Sequence, residues 1–122
     1  MSLPESYKEL ARELRPHRVS LYREIHDVLK KFGAFDKSVM EPGQLDTKTK
    51  ELIAVGISVA IRCDECIGFH VDAAVAAGAD RKELAEAVSV AVLLGGGPGL
   101  MYATHAMKAI DEYCSKNEPD PE

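Results

Sequence analysis

Cysteine is scarce in this chain of 122 residues, and three cysteines argue against the disulfide framework of a small secreted protein. Basic residues are outnumbered by acidic ones, 15 to 20, and are scattered, which argues against a nucleic-acid-binding surface. No basic segment precedes an apolar one at the N-terminus, so we expect no signal peptide. The weakly charged stretches 52–61 and 87–107 are too short or are broken by glycines, so we expect no membrane span. These shortages predict a cytoplasmic protein.

Length and periodicity predict an all-α fold. The chain has the length of one domain, and its apolar and charged fractions, 46% and 29%, are ordinary for a globular protein. We find no sustained alternation of apolar and polar residues bounded by hairpin turns, which strands would require. We therefore expect a single domain over residues 1–122 with about six helices. The polar tail, 115–122, is predicted to be disordered.

Proline and glycine set the predicted helix boundaries in the first part of the chain. A first helix covers 4–15 and is stopped by Pro16. A second covers 19–31, with Gly33 as its C-terminal cap. Its apolar stripe consists of Leu21, Tyr22, Ile25, Val28 and Leu29. A loop is predicted over 34–45, which contains a Pro-Gly pair.

Four further helices are predicted in the rest of the chain. They cover approximately residues 47–62, 63–78, 81–94 and 98–114. Asp46 or Thr47 caps the first of them. Asp80, followed three residues later by Glu83, resembles a capping box at the start of the third. The segment 95–99, four glycines and a proline, is predicted to break the chain before the last helix.

Three of these helices carry apolar residues on nearly every side. The clearest members of the pattern are Ile53, Val55, Ile57, Val59, Ile61, Val88, Val90, Ala91, Leu93 and Leu94. A helix that is apolar all round must be buried all round, and a domain this small cannot enclose three of them. We therefore expect an obligate homo-oligomer. The alternative is a monomer with one large exposed apolar patch, which soluble proteins rarely tolerate.

The segment 51–70 carries the chemically informative residues. Cys63 and Cys66 form a Cys-x-x-Cys pair that can close into a disulfide, and His70 follows four residues later on the same helical face as Cys66. These are a nucleophile, a resolving thiol and a proton handler, as thiol–disulfide chemistry requires. Cys114 has no partner at motif spacing, and we expect no role for it.

Each of these residues also has a plainer interpretation. The two cysteines could be reduced and purely structural, and His70 could be a satisfied core histidine. Glu51 could be a first-turn carboxylate favoured by the helix dipole.

Cys63, at a predicted helix N-terminus, should be the more reactive thiol, because unpaired amides and the dipole there stabilise a thiolate. His70 could accept a proton from Cys66 or donate one to a leaving hydroxide.

The combined pattern resembles the AhpD-like alkylhydroperoxidase and carboxymuconolactone decarboxylase family. The resemblance rests on Glu51, Cys63, Cys66, His70, residues 73–78 and Glu83. It is close over 47–79, TKTKELIAVGISVAIRCDECIGFHVDAAVAAGA, and looser over about 19–113. It implies an all-α fold that assembles as a homotrimer or homohexamer. It also implies reduction of a small-molecule peroxide or disulfide, with electrons from a dithiol or protein thiol donor and without metal, haem or flavin.

The resemblance also assigns roles within the site. It makes Cys66 the thiol oxidised by peroxide and Cys63 the resolving thiol that faces the electron donor. It places Glu51 in a proton relay with His70. The helix-terminus argument favours Cys63 instead. The two agree if the thiol at the helix tip meets a bulky donor while the thiol one turn further meets only a small peroxide.

One departure from the family pattern affects the expected activity. Alkylhydroperoxidases of the AhpD type carry a histidine immediately before the second cysteine, whereas this chain has Glu65 there and Asp64 beside it. Two acidic side chains next to the thiols disfavour a thiolate by like-charge repulsion. This argues against efficient peroxidase activity and leaves disulfide reduction open.

Three alternatives remain at this stage. Cys63, Cys66 and His70 are zinc-ligand types, and Cys114 or His105 could complete a tetrahedral site. A lyase acting on a small lactone acid is a second alternative, although family members with that activity do not depend on a Cys-x-x-Cys pair. A non-catalytic oligomeric scaffold is the third.

Overall fold

The computed structural model describes residues 2–115, and within them the fold is all-α, as predicted. It has five helices: α1 (Tyr7–Glu24), α2 (His26–Met40), α3 (Thr47–Ala60), α4 (Asp64–Ala76) and α5 (Arg81–Cys114). Residues 116–122, the main part of the predicted disordered tail, lie outside the described residues.

Helices α3, α4 and α5 form the core. Its largest fully buried side chains from these helices are Val55, Val59, Ile67, Val71, Leu84 and Ile110, and alanines from α4 and α5 fill the spaces between them. Helix α1 contributes one fully buried residue, Tyr7, whose ring lies directly on Gly68 of α4. Helix α2 has no buried residue.

The predicted boundaries in the first part of the chain are wrong. Helix α1 continues through Pro16, and the break falls at Ile25 instead, where φ is −128° and ψ is 46°. Proline removes the bond to the carbonyl of Arg12. Both residues are exposed, so water can solvate that carbonyl. Gly33 lies inside α2 rather than capping it, and the connection to α3 spans only 41–46.

The predicted starts of α3 and α5 are confirmed. The Asp46 carboxylate accepts a bond from the Thr49 amide at 2.7 Å. At α5, the Asp80 carboxylate accepts from the Glu83 amide at 2.8 Å, and the Glu83 carboxylate accepts from the Asp80 amide at 3.0 Å. Helix α4 begins immediately after Cys63 and ends two residues before Gly78, which has a φ of +101°.

The glycine-rich segment divides α5 into two helical parts that meet at a kink, so the predicted break is confirmed. Because α5 is counted as one helix, residues 2–115 form five helices rather than the expected six. Only Gly96 within α5 has non-helical torsions, with φ 60° and ψ −140°. At the kink, Gly99 lies against the backbone of Ala91 and Val92, in the part of α5 before Gly96. A Cβ at Gly99 would lie 2.8 Å from the carbonyl oxygen of Ala91, so only glycine fits there.

Candidate active site at the start of helix α4

The cysteine pair lies where the chain turns from α3 into α4. The turn needs a left-handed residue, Arg62, at φ 60°, and the Cys63 amide donates back to the carbonyl of Ser58 at 3.1 Å. Cys63 is the N-cap of α4, and its sulfur accepts a bond from the Cys66 amide at 3.2 Å. The free amides and the dipole of this helix end favour negative charge on that sulfur in the reduced protein.

Cys63 and Cys66 are joined in a disulfide, the pairing predicted from their spacing. Their Cα atoms are 5.2 Å apart, within the usual range for a disulfide. Both residues are partly exposed, so a soluble reductant can approach them. Cys114 is buried in α5 and is not part of this bond.

Glu51 and His70 form the predicted hydrogen-bonded pair. Glu51 lies on α3 and is 7% exposed, and its Oε1 is 2.7 Å from Nδ1 of His70 on α4. A carboxylate only accepts, so Nδ1 carries the proton and Nε2 is the nitrogen able to exchange one. His70 and Cys66 are one helical turn apart on the same face of α4.

A second carboxylate–histidine pair borders the cysteines on another side. Oδ1 of Asp64 accepts a bond from the Tyr7 hydroxyl at 2.6 Å and another from Nδ1 of His105 at 3.0 Å. Burial, and then the hydrogen bond to Asp64, raises the pKa of the Tyr7 hydroxyl well above its ordinary value. From the sequence, Asp64 was only a charge that repels a thiolate and His105 was only a candidate zinc ligand.

Tyr7 was missed by sequence reasoning because no spacing or motif connects it to the cysteines. It is separated from Asp64 by 57 residues, and His105 is separated from Asp64 by 41. Only the packing of α1 and α5 against α4 brings the three side chains together.

Glu65, the residue that departs from the family pattern, is exposed beside Cys63. Its Oε2 lies 3.9 Å from the Cys63 sulfur. In the reduced protein a carboxylate at this distance opposes a thiolate on Cys63, in line with the like-charge argument from the sequence. It therefore opposes the stabilisation that the helix end provides.

Within residues 2–115, no group of three or more histidine, cysteine, aspartate or glutamate side chains is placed to hold a metal ion. Two of the ligands proposed for zinc, Cys63 and Cys66, are consumed by the disulfide, and His105 is bonded to Asp64. In this disulfide form the residues proposed for zinc are therefore not grouped as a ligand set within the described part of the chain.

A cleft of about 420 Å³ opens between α1 and α4 next to the site. Asp64 and Glu65 line one wall, and Arg15 and Arg18 of α1 belong to the opposite one. Phe69 contributes an apolar surface. The cleft is large enough to receive a small molecule, and its walls carry both signs of charge.

An all-α domain with a disulfide-bonded cysteine pair at a helix start and a carboxylate–histidine pair one turn along defines a class of helical thiol proteins. Comparison with known proteins makes this more specific. The chain belongs to the carboxymuconolactone decarboxylase family, whose model matches residues 26–109. The resemblance found in the sequence is thereby confirmed.

Several relatives share this similarity. A solved family member from Legionella pneumophila is 36% identical, with a TM-score of 0.85 over 88% of this chain and 96% of that one. A solved family member from Thermotoga maritima, for which a role in the antioxidative response has been suggested, is 36% identical, with a TM-score of 0.66 over 74% and 95%. An uncharacterized protein of Cupriavidus necator is 40% identical over 80 residues, 66% of this chain and 71% of that protein.

Proposed function

We propose that this protein is a thiol-dependent reductase of small peroxides or disulfides, in which Cys63 and Cys66 cycle between dithiol and disulfide. The observation that carries the proposal is the disulfide at the tip of α4 with the Glu51–His70 pair one helical turn along. The antioxidative role suggested for the Thermotoga maritima relative supports the same direction.

The peroxide reaction would begin on Cys66. Its thiolate attacks the terminal oxygen of ROOH, the O–O bond breaks, and the alkoxide leaves as ROH after taking the proton that the Cys63 thiol gives up, directly or through solvent. The Cys63 thiolate then attacks the sulfur of the sulfenic acid, the S–O bond breaks, and hydroxide leaves as water after taking a proton from His70. The two thiols lose two electrons and the peroxide gains them. An external dithiol restores the pair by thiol–disulfide exchange.

The Glu51–His70 geometry supports a proton relay. In the first step His70 accepts the Cys66 proton at Nε2, and in the second it returns one to the leaving hydroxide. Glu51 holds the ring through Nδ1 and stabilises the imidazolium that forms between these steps. Burial of Glu51 strengthens this interaction, because little water competes for its carboxylate.

Disulfides are the better substrate class in this proposal. Glu65 stands where the alkylhydroperoxidases carry a histidine, and its carboxylate is 3.9 Å from the Cys63 sulfur. The site therefore lacks one relay member and gains a repulsive charge. Reduction of a disulfide needs no proton for a leaving alkoxide, so it depends less on the missing histidine.

We also propose that copies of this chain assemble, as a trimer or hexamer by the family resemblance. Apolar residues of α3, of its C-cap Ile61 and of α5 remain exposed in the single chain: Ile53, Ile57, Ile61, Val90, Leu93 and Leu94. Leu93 and Leu94 are 81% and 80% exposed. An apolar groove of about 320 Å³ lies between the two helices. Burying this surface against another subunit stabilises the assembly by the hydrophobic effect.

Helix α5 is long and apolar enough, by length and composition alone, to cross a membrane. We favour a subunit contact instead, because α5 is bent at Gly96 and one of its faces forms the core.

Light scattering at micromolar concentration tests the assembly. A monodisperse monomer near 13.3 kDa would refute it. The cytoplasmic location stays a prediction.

Thiol titration tests the redox function. The reduced protein should lose two thiols on treatment with one equivalent of peroxide or a small disulfide, and a dithiol should restore them. The matched control is Cys114→Ser, which should behave as the wild type. An unchanged thiol count would favour the scaffold alternative. Lyase activity on a lactone acid that survives Cys63→Ser and Cys66→Ser would favour the decarboxylase.

A further inference from the structure

We infer that Tyr7 and His105 are positioning residues for the cysteine pair and act on it through Asp64, the residue that follows Cys63. The inference rests on the proposed redox role of that pair. It concerns how the first turn of α4 is held and how the charge of Asp64 is directed.

One carboxylate oxygen joins three helices at this point. Asp64 is the first residue of α4, and its Oδ1 accepts from Tyr7 of α1 at 2.6 Å and from His105 of α5 at 3.0 Å. The side chains of Asp64 and His105 are each 12% exposed. Two donors on one partly buried oxygen fix both the position of the carboxylate and the direction of its lone pairs.

Tyr7 is itself held rigidly, so its hydroxyl is a fixed donor. The residue is 1% exposed, and a Cβ added at Gly68 would lie only 3.1 Å from its ring. Its amide donates to Oε2 of Glu112 at 2.7 Å, and the Ser6 hydroxyl donates to Oε1 of Glu112 at 2.6 Å. The start of α1 is therefore anchored to α5 independently of Asp64.

The hydrogen bonds to Asp64 affect the cysteines through charge. Asp64 is adjacent to Cys63 in the chain, and an unshared carboxylate there repels a thiolate and disfavours the reduced pair. Donation from Tyr7 and His105 spreads that negative charge and holds it toward α1 and α5. The two donors should therefore make the disulfide easier to reduce.

This arrangement extends beyond the family core. The family model matches 26–109, so Asp64 and His105 fall inside the matched segment and Tyr7 falls outside it. Helix α1 thus places a donor from outside that segment against the residue next to Cys63.

The test is the equilibrium of the Cys63–Cys66 disulfide with a dithiothreitol redox buffer at pH 7. Tyr7→Phe keeps the ring on Gly68 and removes only the donor. We expect its equilibrium constant for reduction to fall about fivefold to tenfold, and tenfold corresponds to about 30 mV. Glu112→Gln loosens the α1 anchor without touching Asp64 and should stay within twofold of the wild type. A Tyr7→Phe value within twofold of the wild type, or matched by Glu112→Gln, would overturn the inference.

A second variant tests the other hydrogen bond to Asp64, the one from His105. His105→Phe keeps a ring against Tyr102 and removes the Nδ1 donor. It should shift the equilibrium in the same direction, and an unchanged constant in folded His105→Phe protein would also overturn the inference. The measurement needs only a reducible disulfide. A shift in Tyr7→Phe protein that turns over no substrate would therefore support the inference while the proposed function fails.

Discussion

Two carboxylate–histidine pairs border the cysteine pair, and they are built differently. Glu51–His70 joins α3 to α4 through a single bond of 2.7 Å to a carboxylate that is almost fully buried. Asp64–His105 joins α4 to α5 at 3.0 Å, and the same oxygen also receives the Tyr7 hydroxyl from α1. The first pair leaves one histidine nitrogen able to exchange a proton one turn from Cys66. In the second pair, the Asp64 carboxylate connects α4 to both α1 and α5.

This difference in geometry separates two roles. The presence of acidic residues and histidines near the thiols would not by itself distinguish them. The Glu51–His70 pair has one hydrogen bond, and His70 lies on the same helical face as Cys66. This arrangement suits proton transfer, which governs the rate of turnover. A carboxylate shared by two donors beside Cys63 suits control of charge, which governs the dithiol–disulfide equilibrium. Variants of the first pair should therefore change turnover, and variants of the second should change the redox equilibrium.

The largest expected effect concerns the Glu51–His70 pair. Glu51→Gln and His70→Ala should each slow turnover about 10²-fold, as loss of general acid–base catalysis does. The double variant should be little slower, because members of one relay are not additive. Steady-state rates with a small disulfide and with a peroxide provide the measurement. Normal rates in folded Glu51→Gln protein would make Glu51 a helix-end carboxylate without a relay role.

Asp64→Asn should produce the next largest effect, with a sign opposite to that of Tyr7→Phe. The substitution removes a negative charge next to Cys63 but keeps an oxygen that accepts from Tyr7. The equilibrium with a dithiol buffer should therefore move about tenfold toward the reduced pair, or about 30 mV. Turnover should change less than it does in Glu51→Gln. A shift toward the disulfide would contradict the assigned role of this charge.

Gly68→Ala should give a smaller change at the same junction. The added Cβ would lie 3.1 Å from the Tyr7 ring, so the ring must move by a few tenths of an ångström. Overpacking of this kind costs about 1–3 kcal/mol, and the helix propensity of alanine returns about 1. Chemical denaturation should show a net loss of about 1 kcal/mol. A stabilised protein with an unchanged redox equilibrium would mean that the Tyr7 ring moves aside without cost and is not held rigidly.

Glu112→Gln should give the smallest change at the cysteine pair and a measurable change in stability. Burial raises the pKa of the Glu112 carboxyl, but hydrogen bonds from Ser6 and the Tyr7 amide outweigh it and leave the pKa below its ordinary value. A depressed pKa stabilises the fold above the unfolded-state value and loses that effect as pH falls through the folded-state value. The variant should be about 1 kcal/mol less stable than the wild type at neutral pH. Melting temperatures should converge as the solution is acidified, and a pH-independent difference would contradict this assignment.

The predictable part of the site lies within two consecutive helices. The cysteine pair, His70 and Glu51 share the segment 51–70, where helical spacing alone constrains which faces meet. The helix caps at Asp46 and Asp80 were equally predictable from the sequence, because a cap depends on residues three positions apart. The Tyr7–Asp64–His105 cluster was not predictable, since it depends on helices whose packing no local pattern reports.

The first part of the chain was mispredicted for a related reason. Pro16 and Gly33 are strong local signals for helix ends, yet both lie inside helices. Both positions are exposed, so water replaces the hydrogen bond that Pro16 removes, and the residues around Pro16 and Gly33 extend each helix across them. The actual break at Ile25 carries no proline or glycine and could not be read from composition.

We propose above that Cys63 and Cys66 are the redox-active pair and that Cys66 is oxidised first. Mass spectrometry with peptide mapping, after the reduced protein is treated with limiting peroxide, tests it most directly. We expect a sulfenic acid to be trapped first on Cys66 and, without a trap, a disulfide between Cys63 and Cys66 within one chain. First oxidation of Cys63, or linkage mainly to Cys114 or between subunits, would contradict it.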